Sequence, residues 1–116
     1  MEQGFRSLIV WQKAMLLADE IYRLTKSFPA SEQYGLTSQM RRAAISIPSN
    51  IAEGSRRSTK RDYAHFLRIA CGSTAEIETQ LELAKRWYPT INEKHALSVS
   101  SEIGKMLSVM IRKLSD

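Results

Sequence analysis

Apolar residues recur along this chain at intervals of three and four, in four separate runs, and each run predicts an amphipathic helix. The first covers Leu8 to Ser27. It carries two adjacent apolar stripes, one of Trp11, Met15, Ala18, Tyr22 and Thr25, the other of Ala14, Leu17, Ile21 and Leu24. Phe28 and Pro29 end it, because a residue before proline is biased away from helical angles. The second run spans Leu36 to Ala52, with Thr37, Met40, Ala44, Ile47 and Ile51 on one side. Pro48 falls inside it, where it removes an amide donor and presses on the carbonyl of Ala44, so a kink is expected there. Gly54 is the expected C-terminal cap.

The third run is the longest. Thr59 and Asp62 form a variant capping box, and Tyr63, Phe66, Leu67, Ala70, Thr74, Ile77, Leu81, Ala84 and Tyr88 keep the helical period until Pro89. The fourth starts near Asn92, after a second possible capping box of Thr90 and Glu93, and carries Ala96, Val99, Ile103, Leu107, Met110, Ile111 and Leu114. Connections this short make sequential helices antiparallel neighbours. The pattern predicts an all-α protein: one domain over residues 1–116, an antiparallel up-down-up-down four-helix bundle with its second helix kinked at Pro48.

Composition supports helices, since the chain has only 5 glycines and 3 prolines and all-β domains need frequent turn residues. The opening residues show no basic start followed by an apolar core and a cleavage site, and no stretch reaches the roughly 18 apolar residues of a membrane span. With one cysteine, Cys71, the chain forms no internal disulfide. A cytoplasmic protein that does not engage membranes is therefore expected. Net charge is +5, and the whole excess lies between residues 41 and 68, where Arg41, Arg42, Arg56, Arg57, Lys60, Arg61 and Arg68 face only Glu53 and Asp62. Such a field attracts anions.

Four stretches narrow the reading: WQKA at residues 11–14, QMRRAAI at 39–45, SIPSNIAEGS at 46–55 and YAHFLRIACGSTAEIETQLELA at 63–84. They closely resemble the bacterial 23S ribosomal RNA intervening-sequence protein family, over nearly the whole chain. The resemblance implies an antiparallel four-helix bundle, commonly a homopentamer, whose genes often lie within inserts in the large-subunit ribosomal RNA gene. A related branch accompanies the reverse transcriptases of diversity-generating retroelements, where a basic pentameric bundle is a nucleic-acid and protein-binding accessory. The family name states a genomic location, not a mechanism.

Arg41, Arg42, Arg56, Arg57, Lys60 and Arg61 are the candidate nucleic-acid-binding residues, provided the chain reverses near Gly54 and gathers them at one end. Cations on a protruding turn suit phosphate oxygens and give affinity without base discrimination. No exposed aromatic side chain is interleaved with them, so a stacking platform is not expected. Pro48, Asn50, Glu53 and Gly54 form the most distinctive motif. Glu53 is either a recognition or acid–base group or the partner of a nearby arginine. The structural reading, with Asn50 or Ser46 bonding the carbonyls that Pro48 strands, is favoured.

Catalysis has thinner support. Asp62 and His65 share a helix face, but no serine or cysteine nucleophile is placed beside them. Helical ribonucleases of the HEPN type place four to six residues between an arginine and a histidine, whereas Arg61 and His65 are separated by three. His95 is a lone residue. Glu76, Glu78 and Glu82 lack the Glu-x-x-His motif of di-metal bundles and read better as exposed pairs, Glu82 with Arg86 among them. Neither metal nor cofactor is expected. The chain reads as a non-enzymatic oligomer that binds RNA, another nucleic acid or a protein partner through a basic end. A ribonuclease using Arg61 and His65, and a purely structural scaffold, are the alternatives. Two wide apolar stripes, together with small Ala70, Gly72, Ser73 and Ala75, favour self-assembly with five subunits as the leading number.

Overall fold

The computed structural model describes residues 4–115. Four helices follow one another: α1 (Ile9–Thr25), α2 (Leu36–Ser55), α3 (Lys60–Trp87) and α4 (Lys94–Leu114). A 3-10 turn at Gly4–Ser7 precedes α1, and another at Ala30–Glu32 links α1 to α2. Each helix packs on its neighbours in the chain and α1 closes on α4, while the diagonal pairs bring no two Cα atoms within 8 Å among the described residues. That is a square up-down-up-down bundle. The 28 residues of α3 rise by about 42 Å at 1.5 Å each, which accounts for the 44 Å long axis.

The periodic positions supply the core. Of the two stripes on α1, the one holding Ala14, Leu17, Ile21 and Leu24 is buried. Met15 and Tyr22 of the other remain about half exposed, at 41% and 52%. Ile47, Ile51, Leu67, Ile77, Leu81, Ile103 and Leu107 have no exposed surface, and truncating one such leucine to alanine costs about 2–5 kcal/mol. Between α3 and α4 the helices meet through small polar residues. Ser100 Oγ donates to the Thr74 carbonyl across 3.2 Å, and a side chain at Gly104 would stand 3.3 Å from Thr74 Oγ1. Of the small residues expected to lie between subunits, Ala70 and Ser73 are instead buried within this bundle, and only Gly72 and Ala75 face outward.

Two helix ends and one side-chain contact differ from expectation. Helix α2 does not stop at Ala52 with Gly54 as its cap. It continues to Ser55, and Gly54 keeps a negative φ inside the last turn. The reason for glycine is tertiary: a Cβ there would lie 2.9 Å from Phe66 Cβ and 3.0 Å from Tyr63 Cδ1, so α2 and α3 meet at a point with no room for a side chain. Pro48 is buried within an unbroken helix. Asn50 Nδ2 donates to the Ser46 carbonyl at 2.8 Å and to Ser46 Oγ at 3.0 Å, not to the Ala44 carbonyl that the proline deprives of a donor. The Thr90–Glu93 box is also not made. Helix α4 starts at Lys94, whose amide donates to Asn92 Oδ1 at 3.3 Å. The Thr59 cap on α3 is made, its Oγ1 accepting the Asp62 amide at 3.1 Å.

Candidate nucleic-acid interface

The six candidate cations fall into three places rather than one. Arg41 lies in the second turn of α2, about 22 Å along the helix from Arg56 at 1.5 Å per residue. It is engaged with the end of α1: its Nε donates to Thr25 Oγ1 at 2.9 Å, and its guanidinium lies over the Tyr22 ring at 4.2 Å. Thr25 passes the interaction on, donating to the Ile21 carbonyl at 2.7 Å. Arg41 thus closes the α1–α2 connection. Arg42 is exposed and faces a groove between α2 and α3. Neither joins the remaining four.

Arg56, Arg57, Lys60 and Arg61 surround the α2–α3 turn, where the chain reverses over Arg56–Thr59, and all four are exposed. The turn is short because α2 ends on hydrogen bonds from the Arg56 amide to the Glu53 carbonyl at 3.3 Å and from the Arg57 amide to the Gly54 carbonyl at 3.1 Å, and α3 begins on the Thr59 cap. Arg57 pairs with Glu53 at 2.9 Å and lies 4.7 Å from the Phe66 ring centre. Arg56 stacks on Phe5 at 5.4 Å. From the other side Arg6 covers the same ring at 4.6 Å, and so joins the cluster. Sequence reasoning missed Arg6, since nothing in a position 50 residues before Arg56 signals that the N-terminal 3-10 turn docks here. It also missed that aromatic rings underlie the charges. Phe5, Tyr63 and Phe66 are half-buried, with guanidinium groups over Phe5 and Phe66, so these two form arginine stacks rather than an open platform. Burial raises the Tyr63 phenol above its ordinary pKa.

Beyond the turn, Arg61, His65 and Arg68 continue along one face of α3 at spacings of four and three. They line a shallow groove of about 620 Å³ with Thr59 and Asp62. Among the described residues, Lys60, Arg61 and Arg68 have no carboxylate within 4.0 Å; the ion pairs formed are Lys13–Glu102, Arg23–Glu20 and Arg57–Glu53. Six fixed positive charges, Arg6, Arg56, Arg57, Lys60, Arg61 and Arg68, thus surround the turn and the first half of α3 with two carboxylates, Glu53 and Asp62. Asp62 and His65 share this groove without a hydrogen bond between their side chains among the described residues. Glu82 and Arg86 do not pair, and Glu76 and Glu82 are exposed while Glu78 is half-buried. His95 is exposed in the first turn of α4. No group of three or more metal-ligating side chains occurs among the described residues, and no helix is long and apolar enough to cross a membrane.

A second surface feature lies between α1 and α2. Trp11, Met15, Ala18, Ile45, Pro48, Ser49 and Ala52 line an almost wholly apolar groove of about 370 Å³. Ile45 at its edge is 58% exposed. The outer stripe of α1 forms one wall, and the Pro48 ring, with no amide to satisfy, forms part of the other.

None of the curated proteins matches this sequence. Among solved structures, the chain is similar to a protein of unknown function from the S23 ribosomal protein family of Bacteroides thetaiotaomicron VPI-5482, with 27% identity and a TM-score of 0.78. That likeness covers 89% of this chain and 98% of the other. The model of the 23S rRNA-intervening sequence protein family matches residues 6–112, a span that takes in all four helices, the Pro48–Gly54 motif and the basic turn, and the chain belongs to this family.

Proposed function

We propose that the protein is a cytoplasmic, non-enzymatic, oligomeric accessory that binds RNA through the basic α2–α3 turn. One observation carries this reading: Lys60, Arg61 and Arg68 are exposed along one helix face with no carboxylate partner among the described residues. Cations already neutralised by the protein gain little from phosphates, whereas free ones release the polymer's counterions on binding. Arg56 and Arg57, flattened on Phe5 and Phe66, still present the edges of their guanidinium groups, which fit phosphate oxygens two at a time. The test is RNA affinity at two salt concentrations for the native protein and for a variant with Arg56, Arg57, Lys60 and Arg61 all changed to glutamine. Native affinity falls as salt rises, by roughly 0.7 in the logarithm per phosphate neutralised and tenfold salt. The variant binds weakly with a flatter slope. Equal affinities overturn the proposal.

Self-assembly belongs to the same proposal, with the homopentamer that the family resemblance implies as the leading form. The apolar groove between α1 and α2 favours it, because a surface lined by Trp11, Met15, Ile45 and Pro48 gains about 25 cal/mol for each Å² a second copy covers. Repetition of the basic turn around an axis then lets several weak phosphate contacts act together. Light scattering on the native protein and on Ile45→Glu checks this. A multimer that dissociates in the variant is expected, and a native particle of 13.2 kDa at micromolar concentration excludes it.

A further inference from the structure

We infer that the polar groove between α2 and α3, beyond the basic turn, is a nucleobase pocket that prefers guanine; the inference rests on the reading of that turn as an RNA-binding surface. The groove has a volume of about 300 Å³ and is lined by Gln39, Arg42, Ser46, Ser73, Glu76 and Gln80. Its volume lies at the small end of the roughly 300–1,000 Å³ typical of ligand pockets.

The observation that calls for a ligand is Gln80. Its side chain is buried to all but 8%, it lines the groove, and its Oε1 has no hydrogen-bond partner. A buried polar atom left so is costly, and the residue that carries it borders the groove. The wall opposite is pre-organised. Ser73 Oγ donates to Ser46 Oγ at 3.0 Å, and Asn50 Nδ2 donates to the same oxygen at 3.0 Å. With both acceptor positions taken, the Ser46 hydroxyl has its own proton to donate.

Charge selects the class of ligand. Arg42 on α2 and Glu76 on α3 face this one groove, yet they form no ion pair with each other or with any described residue. Their guest must therefore present acceptors to a guanidinium and donors to a carboxylate. A guanine does both: O6 and N7 accept from an arginine, and N1–H with the 2-amino group donates a parallel pair to a carboxylate. Uracil offers one N–H, and neither adenine nor cytosine offers two parallel donors on adjacent atoms.

Position links the groove to the RNA track. Glu76 lies about 12 Å along α3 from Arg68 at 1.5 Å per residue, and about 80° round the helix. That is the reach of a few nucleotides. Between them stands Gly72, exposed and with no atom within 4 Å of where a Cβ would sit, so a strand leaving Arg68 meets no side chain there. Single strands present unstacked bases to such pockets, which read them on their hydrogen-bonding edges.

The test uses the full-length protein and ten-nucleotide oligouridylates carrying one central guanine, adenine or cytosine, or none, with affinity read by fluorescence anisotropy at fixed salt. Guanine is expected to bind about tenfold tighter than the all-uridine strand, the low end of what a bidentate pair discriminates. In Glu76→Gln and in Gln80→Leu the ratio of guanine to all-uridine affinity collapses towards one. Gln80→Leu changes a buried side chain, whereas Glu76 is exposed, so Glu76→Gln reads recognition without threatening the fold. Equal native affinities for the four strands, or a guanine preference that survives Glu76→Gln, overturn the pocket while leaving the basic turn as an RNA surface. A native protein that binds none of the strands overturns both.

Discussion

At the end of the bundle where α1 leads into α2 and α3 into α4, Lys85, Arg41 and Lys26 are committed to nearby atoms of the same chain, while Arg86 and Lys94 are exposed and form no ion pair among the described residues. Lys85 donates to the carbonyls of Pro89 and Ile91, each at 2.8 Å. Arg41 holds Thr25 and lies on Tyr22, and Lys26 approaches the same ring at 5.0 Å. The Tyr88 phenol hydrogen-bonds Glu32 across the two connections, and Phe28 packs against the Tyr88 ring at 5.3 Å. At the opposite end, Lys60 and Arg61 touch no carboxylate among the described residues, and Arg56 rests on a ring without an anion. A cation's contribution is thus set by what it already touches. Lys85 and Arg41 at the first end brace the fold, and Lys60 and Arg61 at the second are available to a partner.

The largest effect expected from this contrast comes from exchanging the ends. Glutamine at Arg56, Arg57, Lys60 and Arg61 should lower RNA affinity about 100-fold or more at low salt, since each lost phosphate contact removes counterion release. Thermal stability should change little, because the one ion pair broken, Arg57–Glu53, is exposed and such pairs are worth about 0–1 kcal/mol. Lys85→Gln should do the reverse. RNA affinity holds, while urea denaturation shows a loss of about 1 kcal/mol as the two carbonyls lose their donor. A loss of RNA binding in Lys85→Gln to match that of the fourfold variant would erase the distinction between the ends.

The helices were legible because their buried faces repeat at the helical period, but on α1 the sequence offered two adjacent stripes, and only the bundle makes Ala14, Leu17, Ile21 and Leu24 the core. What sequence left undecided were contacts between residues far apart along the chain. Arg41 and Arg56 are chemically equivalent as letters. Only the bundle places Thr25 beside one and Phe5 beside the other. Gly54 follows a helical run and reads as a cap, yet its cause is Phe66 on the next helix. The Thr90–Glu93 spacing suits a cap, but Asn92 lies two residues nearer Lys94 than Thr90 does and accepts its amide instead. Gln80 sits at a core position of α3 and carries no motif. Its orphaned oxygen becomes visible only once α2 is packed against it.

Glycine sharpens the same comparison at intermediate magnitude. Gly54→Ala puts a methyl 2.9 Å from Phe66 Cβ beneath the basic turn, and overpacking of this kind costs about 1–3 kcal/mol. Gly72→Ala, on the open face of the same long helix, meets nothing within 4 Å. It should stabilise the protein by up to about 1 kcal/mol through helix propensity. Urea midpoints for the two variants should therefore move in opposite directions. A Gly54→Ala protein as stable as the native one would mean that α2 and α3 slide apart at little cost, and that the turn is less firmly held than its packing indicates.

The smallest effect lies at the braced end and is read with pH. Glu32 there accepts the Leu36 amide at 3.3 Å through one oxygen and the Tyr88 hydroxyl through the other, tying the start of α2 to the end of α3. The hydrogen bond to Glu32, then desolvation, then the carboxylate's charge all raise the Tyr88 phenol above its ordinary pKa of 10.0. The folded chain therefore holds this proton more tightly than the unfolded chain does. The resulting stabilisation is fully present below pH 10 and is lost as pH rises through the higher folded value, where a phenolate would face a carboxylate. Tyr63, raised by burial, adds a loss in the same direction, so the native protein alone cannot assign the effect. Comparison with Tyr88→Phe does. The variant should start less stable at pH 8 and lose less melting temperature between pH 8 and pH 10.5 than the native protein, because its Tyr63 still titrates while the bridge to Glu32 is already gone. Parallel melting curves across that interval would mean that the Tyr88–Glu32 bond contributes no pH-dependent bracing, and that this end is held by Lys85, Arg41 and the Phe28–Tyr88 contact.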